Sequence, residues 1–81
     1  SHAPFKFEFN FSPNELTSIP QAEALLVRLE KDVRRHCDGN RKMTLDERRF
    51  VQTCMEETMK QSIDKFGSPA VAQAFNSRAD G

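Results

Sequence analysis

Hydrophobic and polar residues alternate strictly near the start of the chain, where residues 5–11 read Phe-Lys-Phe-Glu-Phe-Asn-Phe. In an extended chain one face then carries four aromatic rings, those of Phe5, Phe7, Phe9 and Phe11. The opposite face carries Lys6, Glu8 and Asn10. A period of two residues is that of a strand with one buried face, so the pattern predicts a β-strand over residues 5–11. Pro13 ends this strand because proline has no N–H for a ladder.

The period changes to three and four residues from Ile19 onward, and Pro20 is compatible with a helix because it falls in the first turn. One apolar stripe consists of Ile19, Ala22, Leu25, Leu26, Leu29, Val33 and Cys37. A second stripe consists of Phe50, Val51, Cys54, Met55, Met59, Ile63 and Phe66. Stripes of this period are typical of helices that bury one face. We therefore predict two long helices, over residues 19–37 and 44–66.

Start and stop signals join these two helices into a hairpin. Asp38-Gly39-Asn40 ends the first helix, with Gly39 expected to supply the left-handed cap. A capping box at Thr44 opens the second helix, and Gly67 ends it. Ser68-Pro69 opens a short helix over residues 69–76, which is followed by a tail over residues 77–81. The predicted fold class is mainly α, with one N-terminal strand, a helical hairpin and a short C-terminal helix.

The length of 81 residues is that of a single small domain, in which we expect residues 1–4 to be an arm or the remnant of a cleaved tag. No second strand is predicted, so the backbone of residues 5–11 needs a partner from elsewhere. Three arrangements meet this need: pairing with the same strand of a second copy, addition to another protein's sheet, or an irregular arm laid over the helices. We favour the first, because a two-stranded ribbon over two protomers enlarges the small core of a short chain.

Charge and cysteine content narrow the expected environment. Twelve basic and twelve acidic residues cancel, and the longest apolar run is the four residues 24–27. We therefore expect neither a global attraction to nucleic acid nor a segment that spans a membrane. Cys37 and Cys54 lie outside any Cys-x-x-Cys motif, so we expect two reduced, partly buried thiols and neither a metal nor a cofactor. These features predict a soluble cytoplasmic protein.

Eight of the twelve basic residues fall within residues 28–49, around the tip of the predicted hairpin. The candidates for contact with an anionic partner are Arg34, Arg35, Arg41, Lys42, Arg48 and Arg49. Solvated faces and ion pairs along the helices are the alternative interpretation of this cluster. Met43, Met55 and Met59 are expected in the core, or at an adaptable binding surface if they are exposed.

The sequence offers no catalytic constellation. His36 and Cys37 are adjacent on a helix and point about 100° apart, so they do not form a nucleophile and base. The sequence favours a non-enzymatic protein-binding module, such as an adaptor, an inhibitor or an assembly chaperone. Its homodimer or partner interface is expected to consist of Phe5, Phe7, Phe9 and Phe11.

The order of elements also resembles, in layout, that of the ribbon-helix-helix repressors. The resemblance rests on the alternating strand from Phe5, the Gly39-Asn40 stop and the helix that opens at Thr44. It implies an alternative function as a dimeric DNA-binding regulator in which the outward strand residues Lys6 and Asn10 contact bases. Arg34, Arg35, Arg41 and Lys42 would then contact phosphates.

Overall fold

The structure is a computed structural model that describes residues 6–80. Within this range the chain has a short 3₁₀ turn at Pro13–Leu16 and three α-helices. The helices are α1 at Ile19–His36, α2 at Leu45–Phe66 and α3 at Pro69–Asp80. The predicted mainly helical fold and its hairpin are therefore confirmed, with helix starts within one residue of prediction. Among the described residues no helix is long and apolar enough to cross a membrane.

The core is organised around α1, which buries Ala22, Leu25, Leu26, Leu29 and Val33 completely. α2 contributes Val51 and Met59 to this core, and α3 contributes Val71 and Ala74. Ser68 links the first part of the chain to the last, because its hydroxyl donates to the carbonyl of Leu16 at 2.6 Å and accepts from the N–H of Val71 at 3.2 Å. The complete burial of these five α1 side chains confirms the predicted stripe of α1.

The N-terminal strand is not present in the described part of the chain. Residues 6–12 have no regular secondary structure, and Phe5 lies outside the described residues. A strand requires a ladder of hydrogen bonds to a neighbour, and no described segment lies beside residues 6–11 to provide one. Phe7 and Phe9 instead pack against the helical core.

The C-terminal end of the chain also differs from the prediction of a tail over residues 77–81, since α3 continues helically through Asp80.

Phe50 departs from the predicted buried stripe of α2, because its side chain is 76% exposed. Its neighbour Val51 is buried, and adjacent helical residues point about 100° apart, so both cannot face the same core. Leu45, at the start of α2, is likewise 66% exposed. The first turns of α2 therefore display two large apolar side chains to solvent.

The connection between α1 and α2 turns at a residue other than the predicted glycine. Asp38 adopts the left-handed conformation, with φ of 59°. Gly39 is needed for space instead, since a Cβ there would lie 3.0 Å from Cγ of Arg34 and 3.1 Å from Cγ1 of Val51. α2 ends at Gly67, as predicted, and this glycine adopts the left-handed conformation with φ of 60°. The loop thus lies tightly against both helices of the hairpin.

The two cysteines form a disulfide bond, which overturns the expectation of reduced thiols. Cys37 ends α1 and Cys54 lies within α2, with their Cα atoms 5.9 Å apart. They are 17 residues apart in sequence, so the bond closes the loop between the helices. No spacing motif in the sequence indicates this bond, because its two cysteines are brought together by the packing of two helices. The bond fixes the end of α1 against the second and third turns of α2.

We expect Leu29→Ala to lower the free energy of unfolding by about 2–5 kcal/mol, because it removes a fully buried side chain from the centre of the core. Val27→Ala is the matched control on the same helix, since Val27 is 60% exposed and its truncation leaves no cavity. Urea denaturation followed by circular dichroism measures both. Equal losses in the two variants would contradict the assigned faces of α1.

Reduction of the disulfide is expected to lower the free energy of unfolding by about 3 kcal/mol, since it releases a loop constraint on the unfolded chain. Urea denaturation with and without a reductant measures this loss. A Cys37→Ser/Cys54→Ser variant is the control, and its stability should not respond to the reductant. Two thiols that react with a thiol reagent in the air-oxidised, denatured protein would show that the bond is absent.

Candidate interaction surfaces

Residues 7–11 lie extended across the helices with their aromatic rings on one side. The ring centroids of Phe7 and Phe9 are 6.5 Å apart and those of Phe9 and Phe11 are 6.4 Å apart, with nearly parallel planes. Two residues of a β-strand rise by about 6.6 Å, so these separations match a strand-like pitch. The predicted alternation therefore holds for these three phenylalanines, although the segment has no ladder.

The aromatic side of this segment rests on the ends of α1 and α2. Phe9 and Phe11 meet Phe66 edge-to-face, with ring centroids 6.2 and 4.9 Å apart, and Phe7 meets His36 at 5.2 Å. Such edge contacts are the favourable arrangement of aromatic rings. Phe7 and Phe9 are half-buried, whereas Phe11 remains 43% exposed. Of the predicted interface residues, Phe7 and Phe9 thus bury much of their apolar surface within the chain, and Phe5 lies outside the described residues.

Arg28 of α1 holds the segment in place through three contacts. Its guanidinium lies 5.1 Å from the ring centroid of Phe9, and its Nη2 donates to the carbonyl of Asn10 at 2.6 Å. Its Nη1 forms an ion pair with Glu15, whose other carboxylate oxygen accepts from the N–H of Ser12 at 2.7 Å. The charge composition of the sequence contained no signal for this role, because it depends on how the segment folds back.

The outer side of the segment is open. Lys6, Glu8 and Asn10 are exposed. Among the described residues, the Asn10 carbonyl is the one backbone group of residues 6–11 that has a hydrogen bond. Open grooves of about 200 and 410 Å³ flank residues 6–8, one beside Thr58 and Lys65 of α2 and the other beside Asp32 and Arg35 of α1. Both edges of this extended backbone are therefore accessible.

The predicted basic tip is divided by ion pairs. Arg41 binds Asp38 at 2.9 Å and Glu47 at 3.3 Å, and the hydrogen bond that its Nε donates to the Asp38 carboxylate raises the pKa of this guanidinium. The N–H and hydroxyl of Thr44, together with Arg41, lower the pKa of Glu47. At pH values above the ordinary pKa of a glutamate, this cap therefore stabilises α2 fully. Its contribution is lost as the pH falls through the lowered pKa of Glu47. Its two ion pairs thus hold Arg41 at the loop between α1 and α2.

The remaining candidates of the basic tip lie on different sides of the hairpin. Arg35 pairs with Asp32 at 3.6 Å on α1. Arg49 lines a cavity beside Phe50 on one face of α2, whereas Arg34 of α1 and Arg48 of α2 line a different cavity together with Met43. Lys42 is exposed in the loop. The structure therefore does not gather these six cations into a single patch.

The described residues contain no cluster of three or more His, Cys, Asp or Glu side chains that could hold a metal ion. Every buried side-chain nitrogen and oxygen in this part of the chain has a hydrogen-bond partner. Comparison with protein-family models, curated proteins and solved structures found no match. In the described part of the chain, the candidate binding surfaces are therefore the accessible backbone of residues 6–11 and the apolar surfaces along α2.

We expect Arg28→Ala to release the aromatic segment and to lower the free energy of unfolding by about 1 kcal/mol, the size of an exposed cation–π contact with an added hydrogen bond. Chymotrypsin, which cleaves after phenylalanine, should cut the variant faster at Phe9 and Phe11 than it cuts the parent chain. Arg35→Ala is the control, because this arginine pairs with Asp32 and makes neither a hydrogen bond nor a cation–π contact with residues 7–11. Equal cleavage rates in all three proteins would contradict the role of Arg28.

Proposed function

We propose that this chain is a non-enzymatic protein-binding module, such as an adaptor, an inhibitor or an assembly chaperone, that acts as a homodimer through residues 6–11. The observation that supports the proposal is the uncovered backbone of this segment, whose pitch matches a strand and whose Phe side is already seated on the helices. An extended segment with free N–H and C=O groups is a template for strand addition. A second copy supplies a segment of the same pitch.

The charges on the outer face favour one register of this pairing. An antiparallel pair with its twofold axis at Phe7 pairs residues 6–8 of the two copies, so that Lys6 of one copy lies opposite Glu8 of the other, and symmetry repeats the contact. An axis at Glu8 would instead oppose two glutamates. Opposite charges across an antiparallel pair stabilise it by about 0.2–1 kcal/mol each, whereas like charges destabilise it. The rings of both copies then remain on the helices of their own protomers.

The disulfide bears on where this module works. Disulfides persist in oxidising compartments such as the cell exterior or the periplasm, and thiols stay reduced in most cytosols. The Cys37–Cys54 bond therefore supports an oxidising compartment in place of the cytoplasmic location expected from the sequence. A binding module outside the cytosol also benefits from a covalent link, because a chain of this size builds only a small core.

The dimer is tested by light scattering over a range of protein concentrations. We expect the parent chain to dimerise, and Glu8→Lys to raise the dissociation constant by at least about two- to thirty-fold, because both cross-strand ion pairs are lost and two lysine–lysine pairs replace them. The Lys6→Glu/Glu8→Lys double variant restores the opposite charges and should recover the parent affinity. Glu23→Lys, a charge reversal on the exposed side of α1 with the same change in net charge, is the control.

A parent chain that is monomeric at every concentration would contradict the dimer, and equal effects of Glu8→Lys and Glu23→Lys would contradict the register. The DNA-binding alternative stays a prediction, and titration of a DNA duplex at rising salt distinguishes it. Contacts with phosphates lose affinity steeply as the salt concentration rises. Tight, salt-sensitive duplex binding that is lost in Lys6→Ala would favour that alternative.

A further inference from the structure

α3 packs mainly on α1 and touches α2 sparsely, so a furrow remains between α2 and α3. Two open cavities of about 380 and 370 Å³ form this α2–α3 furrow, and they join at Glu56 and Phe75. Its apolar lining consists of Met43, Val51, Met55, Met59, Ile63 and Phe75. The furrow is therefore an apolar surface along α2, on the side where α2 and α3 are in contact only sparsely.

The lining combines a fixed floor with adaptable walls. Val51 and Met59 are buried in the floor and belong to the core, whereas Met43, Met55 and Phe75 are half-buried. All three methionines of the chain line this one furrow. Methionine is flexible and polarisable, and it is over-represented on surfaces that adapt to bound helices. The unusual concentration of methionine thus points to binding.

The furrow has the length of a docked helix. Along α2 it extends from Arg48 to Asp64, and sixteen helical steps of 1.5 Å correspond to about 24 Å. A ligand helix of about four turns covers that distance. Amphipathic helices bind such grooves through apolar side chains spaced three and four residues apart.

The charges around the furrow differ from end to end. Arg34 and Arg48 line the end beside Met43, and neither has an ion pair among the described residues. Glu30, also on this rim, is neutralised by Arg78 at 3.0 Å. The far end carries Lys60 and Asp64, whose charges are opposite. Glu56 lies midway, so the excess of positive charge is confined to the Met43 end.

We propose that the α2–α3 furrow binds an amphipathic helix of a partner protein, about four turns long, with acidic side chains at the end that faces Arg34 and Arg48. Its apolar stripe covers the methionines and Phe75, and its carboxylates supply the ion pairs that these two arginines lack. This inference names a partner surface for the proposed protein-binding function and does not require the dimer of residues 6–11.

Two fluorescein-labelled model peptides of about sixteen residues test this proposal by fluorescence anisotropy at low salt. Both carry leucines at helical spacing, and they differ in having either glutamates or lysines in their first turn. We expect the glutamate peptide to bind about two- to thirty-fold more tightly, as two exposed ion pairs allow. An Arg34→Glu/Arg48→Glu variant should reverse this preference, and Met55→Lys should weaken binding of both peptides.

Arg49→Glu is the matched control, because Arg49 is exposed on a different face of α2 and leaves the furrow unchanged. Circular dichroism checks that each variant is helical, and the substituted arginines are all exposed. The proposal is overturned if neither peptide saturates the protein, or if Arg49→Glu alters the preference as much as the furrow variant does. It is also overturned if Met55→Lys disrupts a homodimer that the peptides displace, since a second copy would then occupy the furrow.

The two binding proposals fail independently in these measurements. Glu8→Lys, which opposes dimerisation, should bind the glutamate peptide as tightly as the parent chain does. A monomeric chain that binds the peptide with the expected preference supports the furrow and contradicts the dimer. A dimer that binds neither peptide supports residues 6–11 as an interface and contradicts the furrow.

Discussion

Complete burial of one face of α1 is the constraint on which the rest of the structure depends. Leu25, Leu26, Leu29 and Val33 are inaccessible because α2 and α3 cover them. The 3₁₀ turn and the aromatic segment also rest on α1 or its ends. α2 and α3 meet each other only sparsely, since both are positioned by α1. The α2–α3 furrow is therefore a direct result of a core built around one helix.

The aromatic segment and the furrow divide the available apolar surface into two kinds. The rings of Phe7 and Phe9 already contact Phe66, His36 and the guanidinium of Arg28. The segment therefore offers a partner mainly its backbone hydrogen-bonding groups. The furrow instead offers a partner apolar side-chain contacts. Its helical backbone groups already have hydrogen bonds, and its methionine side chains are accessible. One chain thus presents a surface suited to a strand and another suited to a helix.

Local patterns predicted the helices well because caps and stripes act over a few residues. The Thr44 capping box, the left-handed Gly67 and the α1 stripe all occur as the sequence indicates. Contacts between distant residues could not be predicted in this way. The disulfide, the contacts of Arg28 and the exposure of Phe50 depend on how segments that are distant in sequence pack against one another. Of the candidate site, the shared face of Phe7, Phe9 and Phe11 followed from alternation, whereas the furrow followed from helix packing.

The disulfide also changes how the chain can be pulled or threaded from its ends. Once Cys37 and Cys54 are joined, residues 38–53 form a closed loop that carries no tension when force is applied along the backbone. A translocation pore that admits one extended chain meets three lengths of backbone abreast where this loop passes. A pore of that width therefore passes this chain only while Cys37 and Cys54 are reduced, because oxidation makes the loop wider than a single extended chain.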